Sequence, residues 1–165
     1  MKLCGFTDAD WAGSPTDRKN TSGGIFRIRS TAVSWYSRKQ RSVALSFAEA
    51  EYMVASLLAC EAIWMRKILV GLFGSHLEPT VIYCDNQSCI KLSANPVFHD
   101  RSKHIDIRYH HIRDCVQRRI MLLSYIPTED QDADILTKAL TRSKFEYHRG
   151  RIGVADNPYL VEREC

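Results

Sequence analysis

The spacing of apolar and polar residues predicts that the chain opens with three strands. Residues 2–8 form a short, mainly apolar run, and residues 23–29 (GGIFRIR) alternate apolar and basic side chains as a half-exposed strand does. A third strand is predicted over residues 32–37. Because only Ser30 and Thr31 separate it from the second, a hairpin is favoured. These strands are therefore expected to pair antiparallel.

After residue 46 the apolar period changes to that of helices alternating with strands. A long helix is predicted over residues 47–73, with Gly71 and Gly74 as stop signals. The elements expected to follow are a buried strand at 80–85, a helix at 87–94, a basic helix at 104–119, a strand at 120–126 and a last helix at 129–140. Strands separated by helices favour parallel pairing through crossovers. The predicted fold class is therefore α/β, with a mixed five-stranded sheet, three antiparallel strands then parallel strands, flanked by helices.

Two glutamates open the long helix in different surroundings. Ser46 and Glu49 match the capping box S-x-x-E, which gives Glu49 a structural task. Counting by three and four from Glu51 meets only apolar residues, so Glu51 heads the stripe that packs on the sheet. An unpaired carboxylate at the rim of a core is costly. Glu51 is therefore expected to have either a basic side chain or a metal ion as its partner.

Other acids fall at the ends of predicted elements. Asp8 ends the first strand, with Asp10 as its local competitor, and Asp85 ends the buried strand. Asp85 could instead cap the next helix, as could Asn86.

The segment at residues 128–134 (TEDQDAD) holds four acids in six positions. Thr128 and Gln131 match a second capping box, which does not account for so many carboxylates. A solvated acidic turn is one explanation for the excess, and a cation site is the other. Carboxylates that converge from separate elements are typical of a two-metal site. Their hard oxygen atoms favour Mg²⁺ or Mn²⁺ over zinc.

Composition restricts the class of protein. The 165 residues are 45% hydrophobic and 25% charged with a net charge of +4, which is ordinary for a globular domain and a poor fit to disorder or coiled coil. Six cysteines without a C-x-x-C pair argue against a disulfide framework or zinc knuckle. No apolar stretch suits a membrane span and no signal segment opens the chain. We expect an intracellular domain over residues 1–150 with a tail over 151–165, cut from something larger.

Four short stretches resemble motifs of type 1 ribonucleases H. FTDAD is similar to the family's TDGS-type opening, AEYMVA to its M-E-L-x-A helix start, CDNQ to its D-S-Q stretch, and DADILTKAL to its final D-x-L-A helix. Longer stretches, such as YCDNQSCIKLSANPVFHDRSKHIDIRYHHIRD, resemble the ribonuclease H region that ends copia-type retrotransposon polyproteins. The resemblance covers residues 4–150 and implies a ribonuclease H-like fold.

The resemblance also implies an activity and its residues. The catalytic carboxylates fall on Asp8, Glu51, Asp85 and Asp134, which would hold two Mg²⁺ ions, with Mn²⁺ as a substitute. The implied reaction is endonucleolytic hydrolysis of the RNA strand of an RNA–DNA hybrid, leaving a 5′-phosphate and a 3′-hydroxyl. The implied partner is the reverse transcriptase region of the same polyprotein, in the cytoplasm within a virus-like particle or in the nucleus.

Several features differ from the family's pattern. Asp10 replaces a serine of the opening motif, and the loop before the last helix has no histidine, where relatives use one in water activation or product release. The alternative to an enzyme is therefore a module of this fold that tethers a reverse transcriptase or binds hybrid without cutting it. An integrase-like nuclease fits the spacing of the acids poorly.

Residues that contact nucleic acid are predicted outside the carboxylate cluster. By resemblance, Gln87 would contact the minor groove of the hybrid and Ser46 a phosphate of its DNA strand. Basic side chains are further candidates for phosphate contacts, namely Arg38, Lys39, Arg41, Arg108 and Arg113. Metal ligation by His104, His110 and His111 would need a further ligand at suitable spacing. The tryptophans are predicted to lie in the core, at positions 11, 35 and 64.

Overall fold

Five strands form one mixed sheet in the order β3-β2-β1-β4-β5. The computed structural model describes residues 2–10, 19–40, 43–74, 77–94 and 110–155, apart from the side chain of His110. The strands are β1 (Leu3–Asp10), β2 (Thr21–Ile28), β3 (Thr31–Lys39), β4 (Thr80–Cys84) and β5 (Met121–Tyr125). The first three pair antiparallel, and β4 pairs parallel with both β1 and β5. The predicted fold class is confirmed.

The long helix α1 (Phe47–Phe73) packs along one face of this sheet. Ser46 caps its start by accepting a hydrogen bond from the Glu49 N–H at 3.1 Å, and Gly74 ends it in the left-handed region at φ 63°. The Glu49 carboxylate accepts from the Leu45 N–H at 2.7 Å, one residue before the cap. The apolar stripe is buried as predicted at Val54, Ala55, Leu58, Ala62 and Leu69, and Met65 is partly buried. The cap and the stripe together fix which side of α1 faces the sheet.

Three further α-helices complete the described fold. They are α2 (Gln87–Ala94), α3 (His110–Gln117) and α4 (Arg142–Arg151). The helix predicted over residues 104–119 therefore includes α3, and its residues 104–109 lie outside the described residues. Helix α4 continues through Arg151, and the Ala32 N–H donates to the Ile152 carbonyl at 3.1 Å. The expected domain boundary at residue 150 stays a prediction.

The helix predicted over residues 129–140 is wrong. Two 3₁₀ helices stand there, at Thr128–Asp130 and Asp132–Leu136. Short polar side chains compete with regular helical bonding. Here the Gln131 side chain accepts from the Ala133 N–H, and the buried Asp132 carboxylate is drawn to Arg27 on β2. The capping box expected at Thr128 is also wrong, because the Thr128 hydroxyl donates to Asp85 instead.

Two of the tryptophans lie on the surface. Trp35 on the edge strand β3 is 63% exposed, and Trp64 in the second half of α1 is 60% exposed, so the core prediction is wrong for both. Trp35 lies on an outer strand, and Trp64 lies off the buried stripe of α1. Trp11 is outside the described residues. Among the described helices, none is both long and apolar enough to cross a membrane.

Candidate active site

Parallel pairing of β1 and β4 brings two aspartates to one edge of the sheet. The register aligns Cys4 with Val81 and Phe6 with Tyr83, so Asp8 and Asp85 lie level when the pairing is continued by two residues. Asp8 is almost fully buried, and Asp85, directly after β4, is partly exposed. Asp8 and Asp85, which were predicted to end their strands, therefore lie at the same edge of the sheet.

Glu51 reaches the same edge from α1. Its side chain is 0% exposed, and its Oε1 accepts a hydrogen bond from the Ala9 N–H at 2.8 Å. Its Oε2 lies 3.8 Å from the Cys84 sulfur. The contacts that the described residues give Glu51 are thus a backbone amide and a thiol, neither of which is a basic side chain.

Asp134 is the fourth carboxylate and comes from the second 3₁₀ helix. Lys138 Nζ lies 3.0 Å from Asp134 Oδ1 and 3.5 Å from Asp8 Oδ2, so one ammonium group serves both acids. The Thr137 hydroxyl donates to Asp8 Oδ2. Gly23 faces Asp8 across the β1–β2 pairing, and a Cβ there would lie 2.6 Å from Thr137 Cγ2. Only glycine lets the 3₁₀ helix approach β2 so closely.

Two buried carboxylate oxygens at this edge have neither a hydrogen-bond partner nor an ion-pair partner among the described residues. They are Asp8 Oδ1 and Asp85 Oδ1, whereas Asp85 Oδ2 accepts from the Thr128 hydroxyl at 2.9 Å. Buried polar atoms are normally paired, and carboxylate oxygens are the ligands that hard cations prefer. Ligand atoms of Glu51, Cys84 and Asp85 also lie within 4.8 Å of one another. The donor set therefore fits a divalent cation.

The electrostatics of the cluster agree with that fit. Burial raises the pKa of Glu51 well above its usual value, and Cys84 and Asp8 raise it further. Burial also raises the pKa of Asp85, and burial together with Asp8 raises the pKa of Asp134 to about 6. Burial lowers the pKa of Lys138, but the Asp8 and Asp134 carboxylates outweigh it, so the pKa ends above its usual value. The cluster has more negative charge than Lys138 alone neutralises.

Three polar side chains at this site were not among the predicted site residues. Lys138 and Thr137 contact Asp8, and Thr128 contacts Asp85. The only sequence signal for Lys138 was that it follows Asp134 by four residues, which is the spacing of an i,i+4 ion pair. Nothing local identifies either threonine, because each meets its aspartate across a long stretch of chain.

The predicted nucleic-acid contacts lie on several elements. Ser46 and Gln87 are exposed at the starts of α1 and α2, and Arg38 and Lys39 are exposed at the end of β3. Arg113 on α3 is partly buried and donates to the Leu92 carbonyl at 3.1 Å, which ties α3 to α2. Arg41, Arg108 and His104 are outside the described residues. Contact of these side chains with phosphate or groove stays a prediction.

Comparison with known proteins finds retrovirus-related Pol polyproteins of plant transposons among the relatives. No family model matches the chain. It is 44% identical over 155 residues to the retrovirus-related Pol polyprotein from transposon TNT 1-94 of Nicotiana tabacum, covering 94% of this chain and 12% of the relative. It is 42% identical over 158 residues to the retrovirus-related Pol polyprotein from transposon RE1 of Arabidopsis thaliana, covering 96% of this chain and 11% of that relative. The chain thus spans about an eighth or less of the length of these relatives.

Solved structures share the fold at low sequence identity. The N-terminal RNase H domain of a Mycobacterium tuberculosis protein matches with TM-score 0.56 and 13% identity, over 91% of this chain and 97% of that one. LC11-RNase H1, isolated from compost, matches with TM-score 0.60 and 16% identity, over 82% of this chain and 92% of that one. The same enzyme in complex with an RNA/DNA hybrid matches with TM-score 0.55 and 15% identity, over 82% of this chain and 94% of that one. At such identities the likeness establishes the fold.

Proposed function

Because the chain is homologous to a segment of retrovirus-related Pol polyproteins and has the ribonuclease H fold, we propose that it is a metal-dependent endonuclease that hydrolyses the RNA strand of RNA–DNA hybrids. The observation that carries this proposal is the convergence of Asp8, Glu51, Asp85 and Asp134 from four separate elements. Two of their buried oxygens lack a partner among the described residues. Such an arrangement is suited to binding cations rather than to stabilising the fold.

The four carboxylates would hold two Mg²⁺ ions, with Mn²⁺ as a substitute. Bound there, the ions would supply Lewis-acid stabilisation of the charge that develops at the scissile phosphate. The protein's part is to hold the ligands in place. The Ala9 N–H fixes Glu51, the Thr137 hydroxyl fixes Asp8 and the Thr128 hydroxyl fixes Asp85. Lys138 holds Asp8 and Asp134 together by its charge.

Hybrid recognition would involve side chains around this edge. Gln87 would contact the minor groove and Ser46 a phosphate, while Arg38 and Lys39 would add charge contacts that depend on salt. Arg108 and Arg113 are proposed on the same grounds. The structural neighbour solved with an RNA/DNA hybrid supports this substrate class. The polyprotein relatives support a role in reverse transcription, with the polymerase region as partner.

The test is hydrolysis of a labelled RNA–DNA hybrid by the 165-residue chain in Mg²⁺, beside single-stranded RNA and duplex DNA. We expect only the hybrid to be cut, with 5′-phosphate and 3′-hydroxyl products. Chelation of divalent ions with EDTA should stop the reaction. Binding of hybrid without any cleavage would contradict the proposal and favour a tethering or hybrid-binding module.

A matched pair of variants separates the two glutamates of α1. Glu51→Gln keeps an acceptor for the Ala9 N–H but removes a metal ligand, so cleavage should fall by about 100-fold or more, since even outer-shell changes cost 10–100-fold. Glu49→Gln weakens the bond to the Leu45 N–H and should lower stability by about 1 kcal/mol with cleavage retained. Circular dichroism checks that both variants fold. Equal activity of Glu51→Gln and the parent chain would refute the metal-site assignment.

A further inference from the structure

Two buried thiols lie directly behind the carboxylate cluster. Cys84 is the last residue of β4 and Cys89 lies in the first turns of α2, and both side chains are fully buried. The neighbouring Cys84 and burial together raise the pKa of the Cys89 thiol well above its usual value. The hydrolysis proposed above uses neither sulfur.

The Cys84 sulfur lies beside two of the four carboxylates. It is 3.8 Å from Glu51 Oε2, and ligand atoms of Glu51, Cys84 and Asp85 all lie within 4.8 Å of one another. Zinc–sulfur and zinc–oxygen bond lengths at a tetrahedral angle separate the two ligand atoms by about 3.6 Å. The sulfur–oxygen distance between Cys84 and Glu51 is close to this value, and the Asp85 oxygen lies near enough to join them on one four-coordinate ion.

We propose that Glu51, Cys84 and Asp85 form a site for a thiophilic divalent cation, Zn²⁺ or Cd²⁺, which shares two ligands with the Mg²⁺ site. Thiolate ligands select soft and borderline cations, whereas Mg²⁺ prefers oxygen. The sulfur thus gives this edge of the sheet a second specificity that carboxylates alone would not have.

The surroundings of Cys84 are suited to a coordinated thiolate. Coordination displaces the thiol proton, which leaves to solvent. The Asn86 N–H lies 3.4 Å from the Cys84 sulfur and would donate to the thiolate. Asp85 is partly exposed, so it offers the incoming ion a path from solvent.

Occupancy of this site excludes the hydrolytic metal ions. Zn²⁺ and Mg²⁺ would both require Glu51 and Asp85, and zinc binds mixed donor sites far more tightly than magnesium does. Zn²⁺ or Cd²⁺ is therefore expected to inhibit cleavage while Mg²⁺ is in excess. This inhibitory consequence rests on the proposed function, whereas binding of the cation does not.

Binding is tested with Cd²⁺ alone, by the ultraviolet charge-transfer absorbance of cadmium–thiolate bonds in the 165-residue chain. A Cys115→Ser background removes the thiol of the separate His111, Asp114 and Cys115 group on α3. In this background, Cys84→Ser should weaken Cd²⁺ binding by about tenfold or more. Cys60→Ser, at an exposed cysteine of α1, is the matched control and should leave it unchanged. Excess Mg²⁺ should raise the Cd²⁺ concentration at half-saturation.

Two results would overturn the site. One is a Cys84→Ser titration that coincides with the Cys60→Ser titration, and the other is Cd²⁺ binding that Mg²⁺ does not affect although Mg²⁺ itself raises the melting temperature of the chain. If Cys84→Ser fails to fold, Asp85→Asn removes a ligand without altering the core, and an unchanged Cd²⁺ affinity of Asp85→Asn would likewise overturn the site.

In cleavage assays, Cys84→Ser should need about tenfold more Zn²⁺ for half-inhibition. Absence of any hybrid cleavage would refute the nuclease proposal, while the Cd²⁺ titration would still decide this one.

Discussion

At the scale of single residues, hydroxyl groups decide which carboxylate oxygens stay available. Thr137 occupies one oxygen of Asp8, and Thr128 occupies one oxygen of Asp85. In both aspartates the other oxygen has no partner among the described residues. The threonines therefore position the acids without using up the atoms that a cation would contact.

Replacing Thr137 tests this positioning role. Thr137→Val keeps the shape of the side chain but removes the donor to Asp8, so Asp8 loses its orientation. We expect the Mg²⁺ concentration for half-maximal cleavage to rise by about tenfold, with a smaller change in thermal stability. Thr137→Ser should restore the parent value because it restores the hydroxyl. A Val variant with the parent Mg²⁺ dependence would contradict the role.

Asp134 makes the stability of the metal-free protein depend on pH. Because its pKa is raised to about 6, the folded state binds this proton more tightly than the unfolded state does. The stabilising contribution of that proton is present in acid and is lost as pH rises from about 4 to about 6.

The variant Asp134→Asn should remove this contribution. In EDTA at pH 7.5 it should be more stable than the parent chain by about 1–2 kcal/mol, with a smaller advantage at pH 5. Chemical denaturation at the two pH values measures the difference. The same variant should lose stabilisation by Mg²⁺, because a ligand is missing. A variant less stable than the parent at pH 7.5 in EDTA would show that the Lys138 ion pair outweighs burial and repulsion.

At the scale of elements, a buried ion network holds the second 3₁₀ helix on the sheet. The fully buried Asp132 contacts Arg27 on β2 at 2.7 Å, and His148 and Arg151 on α4 at 3.0 and 2.9 Å. Asp132 is thus a structural acid, although it lies only two residues before the proposed ligand Asp134.

Asp132→Asn is the natural counterpart of Asp134→Asn. It leaves buried positive charge without compensation, so we expect a loss of about 3 kcal/mol or more in the free energy of unfolding. The two variants should therefore change stability in opposite directions in metal-free buffer, as urea denaturation would show. If Asp132→Asn were as stable as the parent chain, the network would not anchor the helix.

Local and long-range features differed in how far the sequence predicted them. Helix α1 and the inward direction of Glu51 followed from a cap and an apolar stripe that are written in consecutive residues. The 3₁₀ geometry around Asp134 did not follow, because its cause is the pairing of Asp132 with Arg27, which are 105 positions apart. Trp35 and Trp64 were misplaced because large apolar side chains predict burial only on average.

At the scale of the whole molecule, the candidate site depends on the complete fold. Its carboxylates come from β1, α1, the end of β4 and the second 3₁₀ helix, and those of Asp8, Glu51 and Asp85 are each fixed by a contact from another part of the chain. A cation that binds all four stabilises only the folded state. Mg²⁺ should therefore raise the melting temperature of the parent chain but not that of Glu51→Gln.

The contact between Thr137 and Asp8 closes 129 positions of chain, and this separation has a kinetic consequence. Contacts so distant in sequence form late in folding, since the entropy of closing the loop must first be offset by other contacts. An ion that binds after the folding barrier slows unfolding and leaves the folding rate unchanged. In stopped-flow experiments Mg²⁺ should therefore change only the unfolding rate. A faster folding rate in Mg²⁺ would instead mean that the carboxylates meet before the barrier is crossed, with the cation as part of the folding nucleus.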